Sequence, residues 1–271
     1  GQESLQARSS GSTVEGIKSA LLKKMEILLP PLPEQRAIAS VLSSLDDKID
    51  LLHRQNKTLE AMAETLFRQW FVEEADEGWE EGVIADLIDF NPNRKLAKGT
   101  CAQYLEMASL STTTFMPTDW YERDFSSGMK FMNGDTLIAR ITPCLENGKT
   151  AFITFLNKND IGWGSTEYIV MRPKQPFHPF FAYTLARNKD FRDYAEGCLE
   201  GSSGRQRVNI DHLMIYPIAL PDDKTIEQFN SLACNIVPKL SYNAEQIRTL
   251  EKLRANLLPK LICGEVRVEC L

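Results

Sequence analysis

One internal duplication constrains this chain more than any other feature. From the first third, Ile38, Val41, Leu45, Ile49, Leu52, Asn56, Leu59, Met62, Leu66 and Trp70 step by three and four, the spacing of a coiled-coil stripe. Shifting each by 191 residues, the separation of Pro30 from Pro221 (221 − 30), lands on Phe229, Leu232, Ile236, Leu240, Asn243, Ile247, Leu250, Leu253, Leu257 and Leu261. That is a second stripe of the same kind. Upstream, Ile17 matches Val208, Leu22 matches Leu213, Ile27 matches Ile218, and Gly11-Ser12-Thr13 falls opposite Ser202-Ser203-Gly204. A unit made of a Ser/Gly loop, a strand-like apolar run, a proline and a long helix therefore occurs twice, with a separate globular segment between the copies.

The helix boundaries follow from local chemistry. Pro33 suits the first helical position, where a missing N–H costs nothing, and Glu34 puts a carboxylate in the positive first turn. The pattern ends near Phe71, before the acidic run that starts at Glu73, so a helix over 34–71 would extend roughly 57 Å. In the second copy Pro238 is expected to kink the helix and Pro259 to disturb its last turns. Antiparallel pairing buries both stripes, through Ile38, Leu45, Leu52, Asn56, Leu59 and Leu66 on one side and Leu232, Leu240, Asn243, Ile247, Leu250 and Leu257 on the other. One Asn in each seam would help to fix register.

Between the helices the pattern alternates. Residues 83–88 open the segment, strands are predicted over 134–141, 150–155 and 167–171, and a helix over 180–194, which suits a small twisted sheet with a few helices. The predicted fold class is α+β: a mixed α/β lobe flanked by two long helices that form an antiparallel coiled-coil spacer.

Chemistry is mostly excluded. Glu146-Asn147-Gly148-Lys149-Thr150 resembles the end of a phosphate-binding loop, but Pro143 stands where its first glycine belongs. Phe90-Asn91-Pro92-Asn93-Arg94 lacks the second proline and aromatic of an amino-methyltransferase signature, and Gly201-Ser202-Ser203-Gly204 is one residue short of a nucleophile elbow. His53, His178 and His212 are isolated, and the six cysteines form no CxxC pair, so reduced thiols are expected. No apolar run approaches the ~20 residues of a membrane helix, and a cytoplasmic location is expected.

What remains is binding. Net charge is −6, and residues 80–220 hold 15 Lys+Arg against 17 Asp+Glu, so only local clusters could meet nucleic acid. Arg205, Gln206, Arg207 and Asn209, in a loop that begins with Ser203, are side chains whose bidentate geometry reads guanine and adenine edges. Arg94, Lys95 and Lys98 form a second cluster, and Arg140, Asn147 and Lys149 a third, suited to phosphates or bases.

The run PPLPEQRAIASVLSSLDDKIDLLHRQNKTLEAMAETLFRQWF, with GSTVEGIKSALLKKMEI ahead of it, resembles the central conserved region of type I restriction-modification specificity subunits. Through IDFNPNRKLAKG, GDTLIARITPCLENGKTAFI, GSTEYIVMRP and GSSGRQRVNIDHL, the middle of the chain is similar to their target-recognition domain. The resemblance implies a division into 1–30, the end of a preceding recognition domain with its hinge; 31–73, a first spacer helix; 80–221, a target-recognition domain; 225–264, a second spacer helix; and 265–271, a tail. It implies a non-catalytic chain that reads one half of a bipartite site on double-stranded DNA and positions modification (methyltransferase) and restriction subunits. Those partners would bring S-adenosylmethionine, ATP and magnesium, and none of these is expected on this chain. A homodimer through the helices would supply a second recognition domain, since the chain carries only one complete copy where the family pattern has two. The competing expectation is a coiled-coil adaptor whose α/β lobe binds protein.

Overall fold

The fold is that of a computed structural model, which describes residues 29–76, 78–202 and 204–268. The expectations for residues 1–28 and for Ser203 lie outside the described residues.

Two long helices bracket the chain: α1 (Leu32–Arg68) at one end and α6 (Asp223–Cys263) at the other. A single wider π turn, Gln69–Glu73, carries α1 into the acidic segment. α6 runs through both Pro238 and Pro259 as one element, with their rings at exposed positions. Each proline removes one backbone donor; at an exposed site water can satisfy the freed carbonyl.

Between them, in chain order, come β1 (Glu81–Val83), α2 (Ile84–Leu87), β2 (Ile88–Phe90), β3 (Cys101–Leu105), β4 (Tyr121–Asp124), β5 (Met129–Phe131), β6 (Thr136–Ala139), β7 (Thr150–Phe152), β8 (Gly162–Gly164), β9 (Tyr168–Pro173), α3 (Phe180–Arg187), α4 (Lys189–Gly197), β10 (Leu199–Glu200), β11 (Arg207–Val208), α5 (Ile210–Met214) and β12 (Pro217–Ala219). The expected single sheet is in fact two four-stranded sheets, ordered β2-β9-β6-β7 and β4-β3-β8-β5, with two short ribbons, β1-β12 and β10-β11. The helix expected over 180–194 breaks at Asn188, whose side chain accepts from the amides of Asp190 and Phe191 and so starts α4.

Strand period decides the layers. Ile138, Phe152, Ile169 and Met171 turn to a core shared with Phe180, Phe181 and Leu185 of α3. Their alternating neighbours Leu137, Ala151, Ile153 and Val170 turn the other way, to meet Leu105 and Phe131 of the second sheet. All four residues of β6 are consequently buried. In β8 the two glycines are required by close approach: a Cβ on Gly162 would lie 2.4 Å from the Phe131 ring, and one on Gly164 2.6 Å from the Leu105 carbonyl oxygen.

The chain divides into two compact units. The larger, Asp46–Lys252, includes the inner parts of both helices as well as the lobe. The reason is aromatic packing: Phe67 and Phe71 of α1, Phe181 of α3 and Phe229 of α6 lie with ring centroids 5.0–6.2 Å apart. Within this unit the helices run antiparallel, since Phe71 meets Phe229 while Asn56 meets Asn243. Leu52, Asn56, Leu240, Asn243 and Ile247 are buried in the seam as expected. Leu59, Leu66, Leu232 and Leu250 are only half-buried, and Met62 is exposed. Past Asn56 the buried face instead follows Glu60, Ala63, Phe67 and Phe71.

The smaller unit pairs the outer ends of the same helices. There Ile38, Leu45 and Leu257 are half-buried, Leu261 is buried, and the Glu34 carboxylate stands 4.0 Å from Arg267.

Candidate nucleic-acid interface

Two loops of the lobe are stitched side by side. The chain leaving β6 bridges to β11 through Ile141 and Arg207. The Thr142 amide donates to the Gln206 carbonyl at 3.1 Å, and Thr142 Oγ1 accepts from the Gln206 amide at 3.1 Å. Residues 141–149 then coil through successive tight turns that end at Gly148, whose φ of +69° favours glycine. On the other side, the β10-β11 ribbon presents Gly201, Ser202, Gly204, Arg205 and Gln206 at its tip.

This arrangement brings together two of the three predicted clusters. Asn147 and Arg205 are exposed and Gln206 is half-buried; none of the three side chains is engaged by a hydrogen bond or ion pair among the described residues. Arg207 is exposed, but Glu167 holds its guanidinium in a two-toothed ion pair, with Nη2 at 2.7 Å and Nε at 2.9 and 3.0 Å from the carboxylate oxygens. Arg140 donates through Nε to the Val208 carbonyl at 3.0 Å, and Lys149 through Nζ to the Met107 carbonyl at 3.0 Å. Both fasten the loops and keep part of their cationic heads beside them.

Asn209 has a different task. Its Oδ1 accepts from the amides of Asp211 and His212 to cap α5, and its Nδ2 donates to Glu200 at 2.9 Å. Reading it as a base contact gives way to a capping role.

The remaining cluster lies elsewhere. Arg94 stands at the start of β6, where Asp135 enters, whereas the stitched loops begin at its far end with Arg140; five residues of extended chain span roughly 17 Å. Arg94 is also structural rather than available: its side chain is 7% exposed, and Nη2 lies 2.7 Å from Asp135, which itself is fully buried. Arg172 approaches the same carboxylate at 2.6 Å, and the Met132 amide donates to it at 2.8 Å. Burial is the largest influence on both partners, pushing Asp135 above its ordinary pKa and pulling Arg94 below. Two guanidiniums on one carboxylate oppose that, and a guanidinium does not deprotonate in a protein, so the trio stays charged. Lys95 and Lys98 remain exposed beside it.

Sequence reasoning missed a further polar joint. Glu60 of α1 is 7% exposed and accepts from the Tyr183 hydroxyl of α3. Nearby, Arg187 lies 3.6 Å from Glu64 and donates to the Thr112 carbonyl at 3.0 Å. Burial pushes the Glu60 carboxyl up to about 7, against the pull of Tyr183 and Arg187. The available signal was the spacing of Glu60, which puts it on the face occupied by Ala63 and Phe67.

No described helix is long and apolar enough to cross a membrane, and no group of three or more metal-ligating side chains occurs among the described residues.

Comparison with known proteins gives these features a context. Residues 2–61 match the family described as type I restriction modification DNA specificity domain. The chain is 25% identical over 308 residues to the type I restriction enzyme MjaIX specificity subunit of Methanocaldococcus jannaschii, covering 98% of this chain and 66% of that protein. To the EcoAI specificity subunit of Escherichia coli it is 30% identical over 154 residues, 55% of this chain and 26% of the other. The chain thus spans under two thirds of the length of these curated relatives. In fold it is similar to the S subunit of a type I restriction-modification system from M. genitalium, with a TM-score of 0.54, 17% identity and coverage of 96% of this chain and 69% of that one.

Proposed function

We propose that this chain, which is similar to type I restriction-modification specificity subunits, is a member of that family and reads one half of a bipartite double-stranded DNA site with the stitched loops of its lobe. The observation that carries the reading is the juxtaposition of Asn147, Arg205 and Gln206 on two loops tied through Thr142. Arg pairs bidentately with guanine, and Gln or Asn with adenine, in a major groove that admits such a projection. Arg140, Lys149 and Arg207 would face phosphates, fixing position without carrying sequence information.

In this reading the chain does no covalent chemistry. It works in the cytoplasm as the non-catalytic scaffold onto which modification and restriction subunits dock, and those partners carry S-adenosylmethionine, ATP and magnesium. The paired helices set the distance between half-sites. A second lobe is supported by the duplication itself: the 191-residue offset relates Phe67 and Phe71, which seat the lobe, to Leu258 and Ile262 of the smaller unit. Leu258 is 38% exposed and Ile262 59%. They would seat the lobe of a second copy, giving a two-fold symmetric reader.

The test is co-expression with the cognate modification subunit and mapping of methylated adenines on host DNA by single-molecule sequencing. Methylation confined to one motif, lost on joint replacement of Arg205 and Gln206 by Ala, is the expected result. An unchanged motif in that variant would remove these loops from the reading surface.

A further inference from the structure

Away from those loops, a cavity of about 80 Å³ opens between α1, α6 and the segment Thr113–Trp120. Its walls are largely apolar, from Phe115, Met116, Trp120, Ala244 and Ile247. Glu60 also lines it. One oxygen of Glu60, Oε2, accepts from Tyr183; the other accepts no hydrogen bond among the described residues and is not one of the sealed, partnerless polar atoms, so it opens onto free space.

The surrounding charges favour a cation there. On α6, Glu245 and Glu251 line the cavity with Arg248 between them. Arg248 is committed to the wall: its guanidinium carbon lies 3.8 Å from the Trp120 ring centroid, and Nη2 is 3.7 Å from Asp119. On the far side of Glu60, the Arg187 charge is shared with Glu64. A concave, largely apolar space with a buried acid in its wall and a displaced ionisation is the usual form of a small-ligand site. An anion would meet three carboxylates, and a neutral ligand would leave Glu60 without a counter-charge.

We propose that this cavity binds a short aliphatic ammonium ion, with its head on Glu60 Oε1 and its chain against Trp120 and Met116. Binding holds Glu60 ionised. Because burial otherwise raises that carboxyl to about 7, binding expels a proton and strengthens as pH rises. The inference is independent of how the lobe reads DNA.

The experiment is calorimetric titration of the full chain with n-butylammonium chloride at pH 6, 7 and 8, with butanol and butyrate as size-matched controls. Butylammonium alone is expected to saturate, about tenfold more tightly at pH 8 than at pH 6, the change in ionised fraction across a pKa near 7. Its heat should vary with buffer in the sense of proton release. Glu60→Gln, which can keep the bond to Tyr183, should weaken binding at least about tenfold, and Ala244→Met, which fills the cavity from the opposite wall, should abolish it with Glu60 untouched. A His53→Gln control, which should leave the pH response unchanged, confines that response to Glu60. Absence of saturation, equal binding of butanol, or unchanged binding by either the Glu60 or the Ala244 variant would overturn the proposal.

Discussion

Asn243 donates from Nδ2 to Oδ1 of Asn56 at 2.8 Å, so the single asparagine of each helical stripe meets the other inside the seam. Both residues are buried, and Asn56 also directs its own amide toward the Leu240 carbonyl at 3.5 Å. Any slide of one helix along the other by a turn would oppose an amide to a leucine or isoleucine. The pair therefore selects one antiparallel register at some expense in stability.

Asn56→Leu or Asn243→Leu alone should destabilise the chain by about 1–3 kcal/mol, because each leaves a buried amide unpaired. The double Leu variant should recover most of that loss while broadening the oligomeric distribution. Urea unfolding with light scattering on the three variants checks both halves.

Arg94→Ala should behave as a core mutation. Removing one guanidinium from the Asp135 trio should cost about 3–5 kcal/mol of folding stability. If the variant instead unfolds like the parent and only loses DNA affinity, Arg94 returns to the contact surface.

Asn209→Ala and Arg205→Ala make a contrasting pair four residues apart. The first removes a helix cap and should cost about 1 kcal/mol. The second, at an exposed site, should stay within about 0.5 kcal/mol of the parent by thermal unfolding, yet change which sequence is methylated.

Glu60 predicts an unusual pH profile. Its carboxyl binds protons more tightly in the folded chain, about 7 against an ordinary 4.5, so the folded state takes up protons between those values and stability falls as pH rises from 5 to 8. The full swing is about 3 kcal/mol. His178, pulled down by burial, slopes the opposite way. Subtracting the urea-unfolding profile of Glu60→Gln isolates the Glu60 part; identical slopes would contradict it.

Replacing Leu258 and Ile262 by Asp should leave the larger unit folded and shift the chain toward monomer in light scattering. Unchanged association would place any dimer contact elsewhere.

The spacing of Leu52, Asn56, Leu240, Asn243 and Ile247 showed the helices and their pairing because two facing stripes impose a period near 3.5. The same extrapolation failed at Met62, which is exposed, and missed Glu60 and Phe67, because there α1 turns its face to the lobe and a helix of 3.6 residues per turn drifts off a heptad. β4 was illegible for another reason: all four of its residues are exposed, so no alternation marks it. Of the candidate site, Arg205 and Gln206 lie together at the tip of the β10-β11 ribbon, as their adjacency in sequence requires. Arg94 and Asn209 were read by residue type, and type does not distinguish a charge facing DNA from one facing Asp135. Asn209 did carry a signal, since an asparagine just ahead of Ile210-Asp211 is a helix start.

The register Glu81↔Ala219 to Val83↔Pro217 closes the lobe where it leaves and rejoins the scaffold. The chain goes out and comes back at neighbouring points, so the intervening sequence is a cassette with one two-stranded clasp. Under the proposed function, recombination at that clasp would exchange an entire reading surface in one event, keeping the helices that partners would recognise. A lineage built this way could acquire a new target without passing through the long series of point changes that altering a base contact in place would demand.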